Sequence, residues 1–542
     1  MCVGGVNASS FALLREQDNG QSDFLRTVFG SKEIHPVQPP WLKPTALLSL
    51  LLLLAAFFVL EFIYPRFPAT DEIVFKSPGR NMSEGGALAA PELEGYLHLN
   101  PRIERVYFLH PPLYPWLFGE WTRATGFGWA ACVGYDALIS AALALVIFRV
   151  ADAVAGMLLG PTWLGTALAL LSALLTLLFR QVARPDELGM LLGFTNAWWL
   201  LRPPNSSSRW MSFLSGAVAG LMLCTSTGVF LAFMPLLAAL WLRRVEKIPE
   251  IVPSAVAFGL GVAFTAVLCL MPFFLSHPDF YRQFLQHSQQ VVLSTSAWGR
   301  LSEGVDLAWQ VAPHRLFILF ATVPVLCLGM VTFWHAGRIG ETIALFVAPL
   351  VGFSLLMFVR SAHTYMWFLE PWFLLVAVVV TAYLRRQRLL RLVVAVWLTV
   401  WLAVASVWPV KDYIVRIALP AEQTLVPNAR KLRDLIPTGA GVLTLGGWWA
   451  LGSDRVVYDP EFSDLQDLER IEYFVTDSNG TGEPGVWFRP SNSRYDAMVR
   501  EHFRVISDTL PRMPIRIFGF RVTNSAYGFG SVVLRRVPAQ AQ

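Results

Sequence analysis

The sequence predicts an α-helical polytopic membrane protein of about eleven transmembrane helices, followed by a small C-terminal α/β domain. Three observations predict it. Of 542 residues, 55% are hydrophobic and only 15% are charged, where a soluble chain would carry about a quarter charged residues. The apolar residues also fall in runs, and a helix of about 20 mostly apolar residues crosses a bilayer. From about Pro420 the character changes to mixed charge, frequent turn residues and short strand-like stretches.

The apolar runs lie near 46–64, 129–150, 161–179, 186–201, 211–225, 228–242, 252–275, 315–334, 339–359, 366–384 and 391–409. The fifth and sixth are short and are joined by Thr225-Ser226-Thr227-Gly228. Counting them separately places Arg202, Arg209, Arg243, Arg244, Lys247, Arg338, Arg385, Arg386, Arg388 and Arg391 on one side, as the positive-inside rule requires. Merging them would send the later clusters to the other side. The organisation expected is a cytoplasmic tail over 1–45, a transmembrane core over 46–409 with a large outer loop at 65–128, and an extracytoplasmic α/β domain over 410–542. Within that domain, Val426 to Leu435 reads as a helix. Val442 to Leu445, Arg455 to Tyr458, Tyr473 to Thr476, Val505 to Ser507, Ile515 to Phe518 and Val532 to Arg535 read as strands.

Composition also excludes some classes. A net charge of +5 argues against a nucleic-acid partner, and its basic residues have a topological explanation. Cys2, Cys132, Cys224, Cys269 and Cys327 fall in spans or in the N-terminal tail, so no disulfide framework or cysteine metal site is expected. No phosphate loop, Rossmann glycine pattern or nucleophile elbow is present. No histidine spacing suits zinc, and no residue is assigned as a metal ligand.

Nearly all residues of chemical interest fall on the predicted outer face. Asp71 and Glu72 follow the first span directly. One carboxylate there can take the proton of an acceptor hydroxyl, and its partner can orient that base or shift its pKa. A solvated juxtamembrane pair accounts for the two residues equally well. His110-Pro111-Pro112-Leu113-Tyr114 combines a rigid extended turn with a histidine held in one direction. Leu113, Trp116, Leu117 and Trp121 then follow at helical spacing, which suits an interfacial helix. Arg184-Pro185-Asp186-Glu187 opens the fourth span. Proline and acids suit a first helical turn, and Asp186 with Arg184 also suits a cavity that holds a phosphate. Arg360, His363 and Tyr365, between the ninth and tenth spans, suit a lipid-linked phosphate or an aromatic belt with a snorkelling arginine.

Taken in order, these motifs resemble the dolichyl-phosphate-mannose protein mannosyltransferase family, which includes the bacterial aminoarabinose transferases. Asp71-Glu72 with Phe75, then Arg80-Asn81-Met82 and Gly85-Gly86, are similar to that family's first outer loop. His110-Pro111-Pro112-Leu113, Arg184-Pro185-Asp186, and His363-Thr364-Tyr365 with Pro371 follow in the same order over roughly residues 46–400. The sequence departs from the family at Lys76-Ser77-Pro78, where the family stays small and helical, and at Leu223-Cys224-Thr225-Ser226-Thr227, where a basic residue is usual.

The resemblance implies a GT-C-like fold and a polyprenyl-phosphate-linked sugar as donor. The acceptor would be a glycan, lipid or protein hydroxyl. Asp71 would be the general base, with Glu72 and Asp186 orienting it or the acceptor. Arg184, Arg360, His363 and Tyr365 would hold the donor phosphate, and His110 and Arg80 would position the acceptor or the loop. It names no certain cofactor and leaves a divalent metal possible. The expected location is a bacterial inner membrane, with the catalytic face and the C-terminal domain extracytoplasmic. The competing readings are a secondary transporter, which would show internal repeats and midplane charges, and a non-catalytic membrane scaffold. No repeat is evident, although Glu61, Asp136 and Glu370 lie within or at the ends of apolar runs.

Overall fold

The computed structural model describes residues 44–65, 71–95, 103–107, 109–160, 163–180, 184–202, 209–244, 248–276, 278–280, 282, 285, 296–359, 366–384, 388–419, 424–444, 447–451, 454–460, 463–476, 493–508, 515–517, 520–522 and 531–537.

Each of the eleven apolar runs coincides with helix. They are α1 (Pro44–Ile63), α4 (Trp129–Leu159), α5 (Trp163–Leu178), α6 (Pro185–Leu201), α7 (Arg209–Leu223), α8 (Thr227–Leu242), α9 (Ile251–Ser276) and α11 (Pro313–His335). Ile339–Thr342, a π-helical turn Ile343–Val347 and Ala348–Val359 follow as α12, then α13 (Glu370–Tyr383) and α14 (Arg388–Ala418). Among the described residues, five of these helices are long and apolar enough to cross a membrane on their own length, and five more are shorter apolar helices. The fifth and sixth runs are separate helices. Their break is stabilised by Ser226, whose hydroxyl accepts from the amide of Val229 and caps α8. The protein is a multi-pass membrane protein.

Three further helices lie between these spans: α2 (Asp71–Ser83), α3 (Leu113–Thr125) and α10 (Ala297–Val311). The sequence anticipates α3 from its apolar spacing; it gives no sign of α10. Helix α2 forms despite Pro78 in its interior, a residue that removes one backbone donor. Close packing against α3 compensates. A Cβ on Gly79 would sit 2.1 Å from the carbonyl oxygen of Pro115, and one on Gly119 would sit 2.7 Å from that of Gly79. The two backbones therefore touch through glycine.

Buried polar contacts bring one set of helix ends together. Arg180, just past α5, pairs with Glu61 near the end of α1 at 2.5 Å, and Arg416 near the end of α14 approaches the same carboxylate at 3.6 Å. Arg315, at the start of α11, pairs at 3.2 Å with Glu370, which begins α13, and also donates to the carbonyl of Phe179. The ends of the first, third and last spans thus gather with the beginnings of the eighth and tenth, as alternating crossings require. Helices α2 and α3 lie over this end.

The C-terminal region forms a five-stranded sheet of order β2-β1-β3-β7-β4 from β1 (Gly441–Thr444), β2 (Val456–Tyr458), β3 (Tyr473–Thr476), β4 (Phe503–Asp508) and β7 (Val532–Arg536). The first three strands pair in parallel and the last two antiparallel. A two-stranded hairpin, β5 (Ile515–Ile517) with β6 (Phe520–Val522), stands apart. Helices α15 (Leu425–Leu435), α16 (Trp448–Leu451) and α17 (Ser493–His502) accompany the sheet. One buried apolar cluster joins Ile73, Phe75 and Phe118 of the loop helices to Trp448, Trp449 and Val442 of this region.

Candidate functional site

The site is built on α2. Asp71 is its first residue, where the helix dipole favours a negative charge. Successive residues of a helix are rotated by about 100°, so Asp71 and Glu72 begin different faces. Glu72 shares its face with Lys76, one turn on.

That second face is fully internal. The Lys76 ammonium is completely buried, donates to Glu72, and donates to Oδ2 of Asp136 on α4 at 2.7 Å. Burial opposes its charge, but Asp136 and Glu72 outweigh burial and hold it above the ordinary lysine range. Burial raises Glu72, with Lys76 opposing and Asp136 adding to that shift. The geometry therefore ties Glu72, through Lys76, to the face of α2 that meets α4.

The first face of α2 carries Phe75, one turn beyond Asp71. The His110 ring meets Phe75 edge-on with centroids 4.8 Å apart, and the guanidinium of Arg184 lies 5.1 Å over the same ring. Arg184 in turn donates from Nε to Oδ2 of Asp186 at 3.0 Å, and the Ser226 hydroxyl donates to Oδ1 at 2.7 Å. Asp186 is fully buried in the first turn of α6, behind Pro185 at the first helical position. The structure thus brings Phe75, His110, Arg184 and Asp186 together, although they come from three separate segments.

Tyr107 completes this cluster and was not singled out in the sequence. Its phenol is buried, and its hydroxyl has no hydrogen-bond partner among the described residues. Burial pushes it above the ordinary range, Arg184 opposes the shift and Asp186 adds to it. A Tyr three residues before a His-Pro-Pro turn was its only sequence signal.

Arg80 lies on the far side of α2. It donates from Nη1 to Oε1 of Glu92 at 3.0 Å and from Nε to Glu84 at 3.1 Å, so its position is that of a loop-fixing residue. Arg360, His363 and Tyr365 lie outside the described residues, as does the side chain of Asp71. Among the described residues, no group of three His, Cys, Asp or Glu side chains is placed to hold a metal ion.

A second polar cluster gathers where α5 ends and α11 and α13 begin. A cavity of about 20 Å³ is lined in part by Thr176, Arg180, Arg315, Trp367 and Glu370. Nε of Arg180 and Oε1 of Glu370 have no partner among the described residues. Ser140 links this cluster to the base of the site, since its hydroxyl donates to Glu187 at 2.7 Å and accepts from Arg180 at 3.3 Å.

No family model and no curated protein sequence matches the chain. Among solved structures it is similar to ArnT from Cupriavidus metallidurans bound to undecaprenyl phosphate, with a TM-score of 0.52 and 12% identity, over 90% of this chain and 98% of that one. The same protein in the apo state aligns at 0.46 and 14% identity over 91% and 98%. Archaeal oligosaccharyltransferase AglB from Archaeoglobus fulgidus, in complex with an inhibitory peptide and a dolichol-phosphate, aligns at 0.45 and 9% identity over 81% and 70%. The likeness to ArnT at this level shows the fold: a mostly helical, GT-C-like membrane architecture with a small C-terminal sheet region.

Proposed function

We propose that this GT-C-like chain is a membrane glycosyltransferase that moves a sugar from a polyprenyl-phosphate donor to an acceptor hydroxyl. The observation that carries the reading is the division of labour on α2. The Glu72 face is occupied by Lys76 and Asp136, whereas the Asp71 face runs to Phe75, His110 and Arg184. In this reading Asp71, which begins that face, is the base, and Arg184 and Phe75 supply a cation and an aromatic wall at one end of the bundle. The solved ArnT structure with undecaprenyl phosphate supports a donor of that chemistry.

In this reading the acceptor O–H loses its proton to the Asp71 carboxylate. The oxygen attacks the anomeric carbon and forms the new C–O bond. The bond from that carbon to the phosphate oxygen breaks, and polyprenyl phosphate leaves with the electron pair. One displacement from the opposite face inverts the configuration. Arg184 meets the negative charge that develops on the leaving phosphate, and fixed cations at such a position stabilise the transition state. The motif resemblance adds Arg360, His363 and Tyr365 to the donor side and His110 to the acceptor side. Asp186 acts through Arg184. A glycan, lipid or protein hydroxyl is the acceptor class, and a bacterial inner membrane with this face outside is the setting.

The test is donor consumption by the reconstituted protein with a panel of radiolabelled polyprenyl-phosphate sugars, with membrane extract supplying acceptor. Wild type should consume one donor, and Asp71→Asn should consume none while keeping its expression and melting temperature. Turnover by the variant at the wild-type rate would remove Asp71 as the base.

A further inference from the structure

The buried Glu92 links the C-terminal region to α2. Its carboxylate faces the helix: the Ser77 hydroxyl donates to Oε2, and Arg80 donates to Oε1 at 3.0 Å. Its backbone carbonyl faces the other way. There it accepts from the amide of Asp459 at 3.0 Å and from the Ser463 hydroxyl at 2.8 Å. The adjoining residues extend the seam. The carbonyl of Glu94 accepts from the amide of Asp464 at 2.8 Å, and its carboxylate pairs with Arg470 at 3.0 Å. Gly95, with φ +82°, lies so close that a Cβ would stand 2.5 Å from the carbonyl oxygen of Asp464.

A second route ends on the same arginine. The Arg80 guanidinium lies 4.8 Å over Phe127, and the Phe127 ring stands 5.2 Å from Trp448 on α16. Helix α2 is therefore held from two sides. Lys76 fixes it to the bundle through Asp136, and Ser77 and Arg80 fix it to the C-terminal region through Glu92 and Phe127. Both attachments lie within three turns of Asp71.

We propose that Glu92 is a positioning residue through which the C-terminal region sets the placement of the helix that begins with Asp71. The region is then a working part of the transfer site and not an appended module. The inference rests on the glycosyltransferase reading for its effect on rate, but the mechanical coupling stands on the contacts alone. Small misplacements of a reacting group are costly in rate, so a loosened α2 lowers turnover more than donor binding.

The experiment uses the full-length protein in nanodiscs and compares wild type with Glu92→Gln and Ser463→Ala. Hydrogen exchange reads the coupling directly, because local opening exposes backbone amides. Both variants should speed exchange over residues 72–83, even though Ser463 lies in the C-terminal region. With the donor that wild type consumes, Glu92→Gln should lower kcat about tenfold with donor KM within about twofold. Glu92→Asp should recover part of the rate. Exchange changes confined to 459–464 would overturn the proposal, as would faster exchange in α2 with unchanged kcat. If wild type consumes no donor at all, the glycosyltransferase reading fails, and the exchange result still decides the coupling.

Discussion

Arg184 donates to Asp186 at 3.0 Å across the first turn of α6, and the same guanidinium lies over Phe75 of α2. The second oxygen of Asp186 is taken by Ser226. A fully buried carboxylate with both oxygens occupied holds its donor in place and has no room to accept a substrate proton. Arg184→Ala and Asp186→Asn should therefore share one defect. A hydrogen bond to a charged group contributes about 1.5–3 kcal/mol, so each variant should weaken donor use by about tenfold or more. The double variant should be little worse than either single one, because both substitutions remove one unit. Donor KM across this cycle is the measurement, and additive losses would show that Asp186 acts independently of Arg184.

Lys76 is the buried counterpart on the other face of α2. Replacing it with Met leaves Glu72 and Asp136 facing each other without a cation. Breaking a buried ion pair from one side costs about 3–5 kcal/mol, and thermal unfolding in detergent should show a loss of that size. Removing the acids as well, in Lys76→Met with Glu72→Gln and Asp136→Asn, should recover much of the stability. A Lys76→Met protein as stable as wild type would mean that the triad is solvated.

Gly79 explains itself only in three dimensions. A methyl group there meets the Pro115 carbonyl at 2.1 Å, which is backbone and cannot swing aside. Gly79→Ala should push α2 off α3 at a cost of about 1–3 kcal/mol, typical of overpacking. Transfer should fall along with it. Gly337, with φ +69° and nothing within 4 Å of its would-be Cβ, makes a control in which alanine meets only backbone strain of about 1 kcal/mol.

The sequence reveals the spans because a bilayer imposes a length and a composition on each. It also reveals the order of the motifs and most of the small sheet, since strand-like runs between turn residues are local signals. Helix α2 was hidden for local reasons too. Lys76-Ser77-Pro78 interrupts any apolar period, and Pro78 speaks against helix. What forms it lies 40 to 60 residues away, in Gly119 and Asp136. The acids Glu61, Asp136 and Glu370 were visible as anomalies in or beside apolar runs. Their partners Arg180, Lys76 and Arg315 were not, because an ion pair between distant segments leaves no spacing to read. Tyr107 was missed because a single tyrosine in a loop carries no pattern, and only burial beside Arg184 gives it meaning.

Glu61 joins the first span to the last. Arg180 pairs with one of its oxygens at 2.5 Å, and Tyr413 donates to the other at 3.0 Å with Arg416 also near. Arg416 further donates to the carbonyl of Tyr64 at 2.8 Å, so the end of α1 is held to α14 through side chain and backbone together. Glu61→Leu would leave the buried Arg180 without its paired carboxylate, while Arg416 keeps Asp412 at 3.3 Å, a loss of about 3–5 kcal/mol by the same reasoning as for Lys76. Tyr413→Phe removes one donor to that carboxylate and should cost about 1.5–3 kcal/mol. The revealing variant is Glu61→Leu combined with Arg180→Met, which removes the charge on both sides of the tightest contact. If Arg180 is held by Glu61 alone, the pair should be more stable than Glu61→Leu by itself. If Arg180 is held chiefly through Ser140 and Glu187, the second substitution should cost further stability. Melting temperatures of the three proteins in one detergent distinguish the two cases.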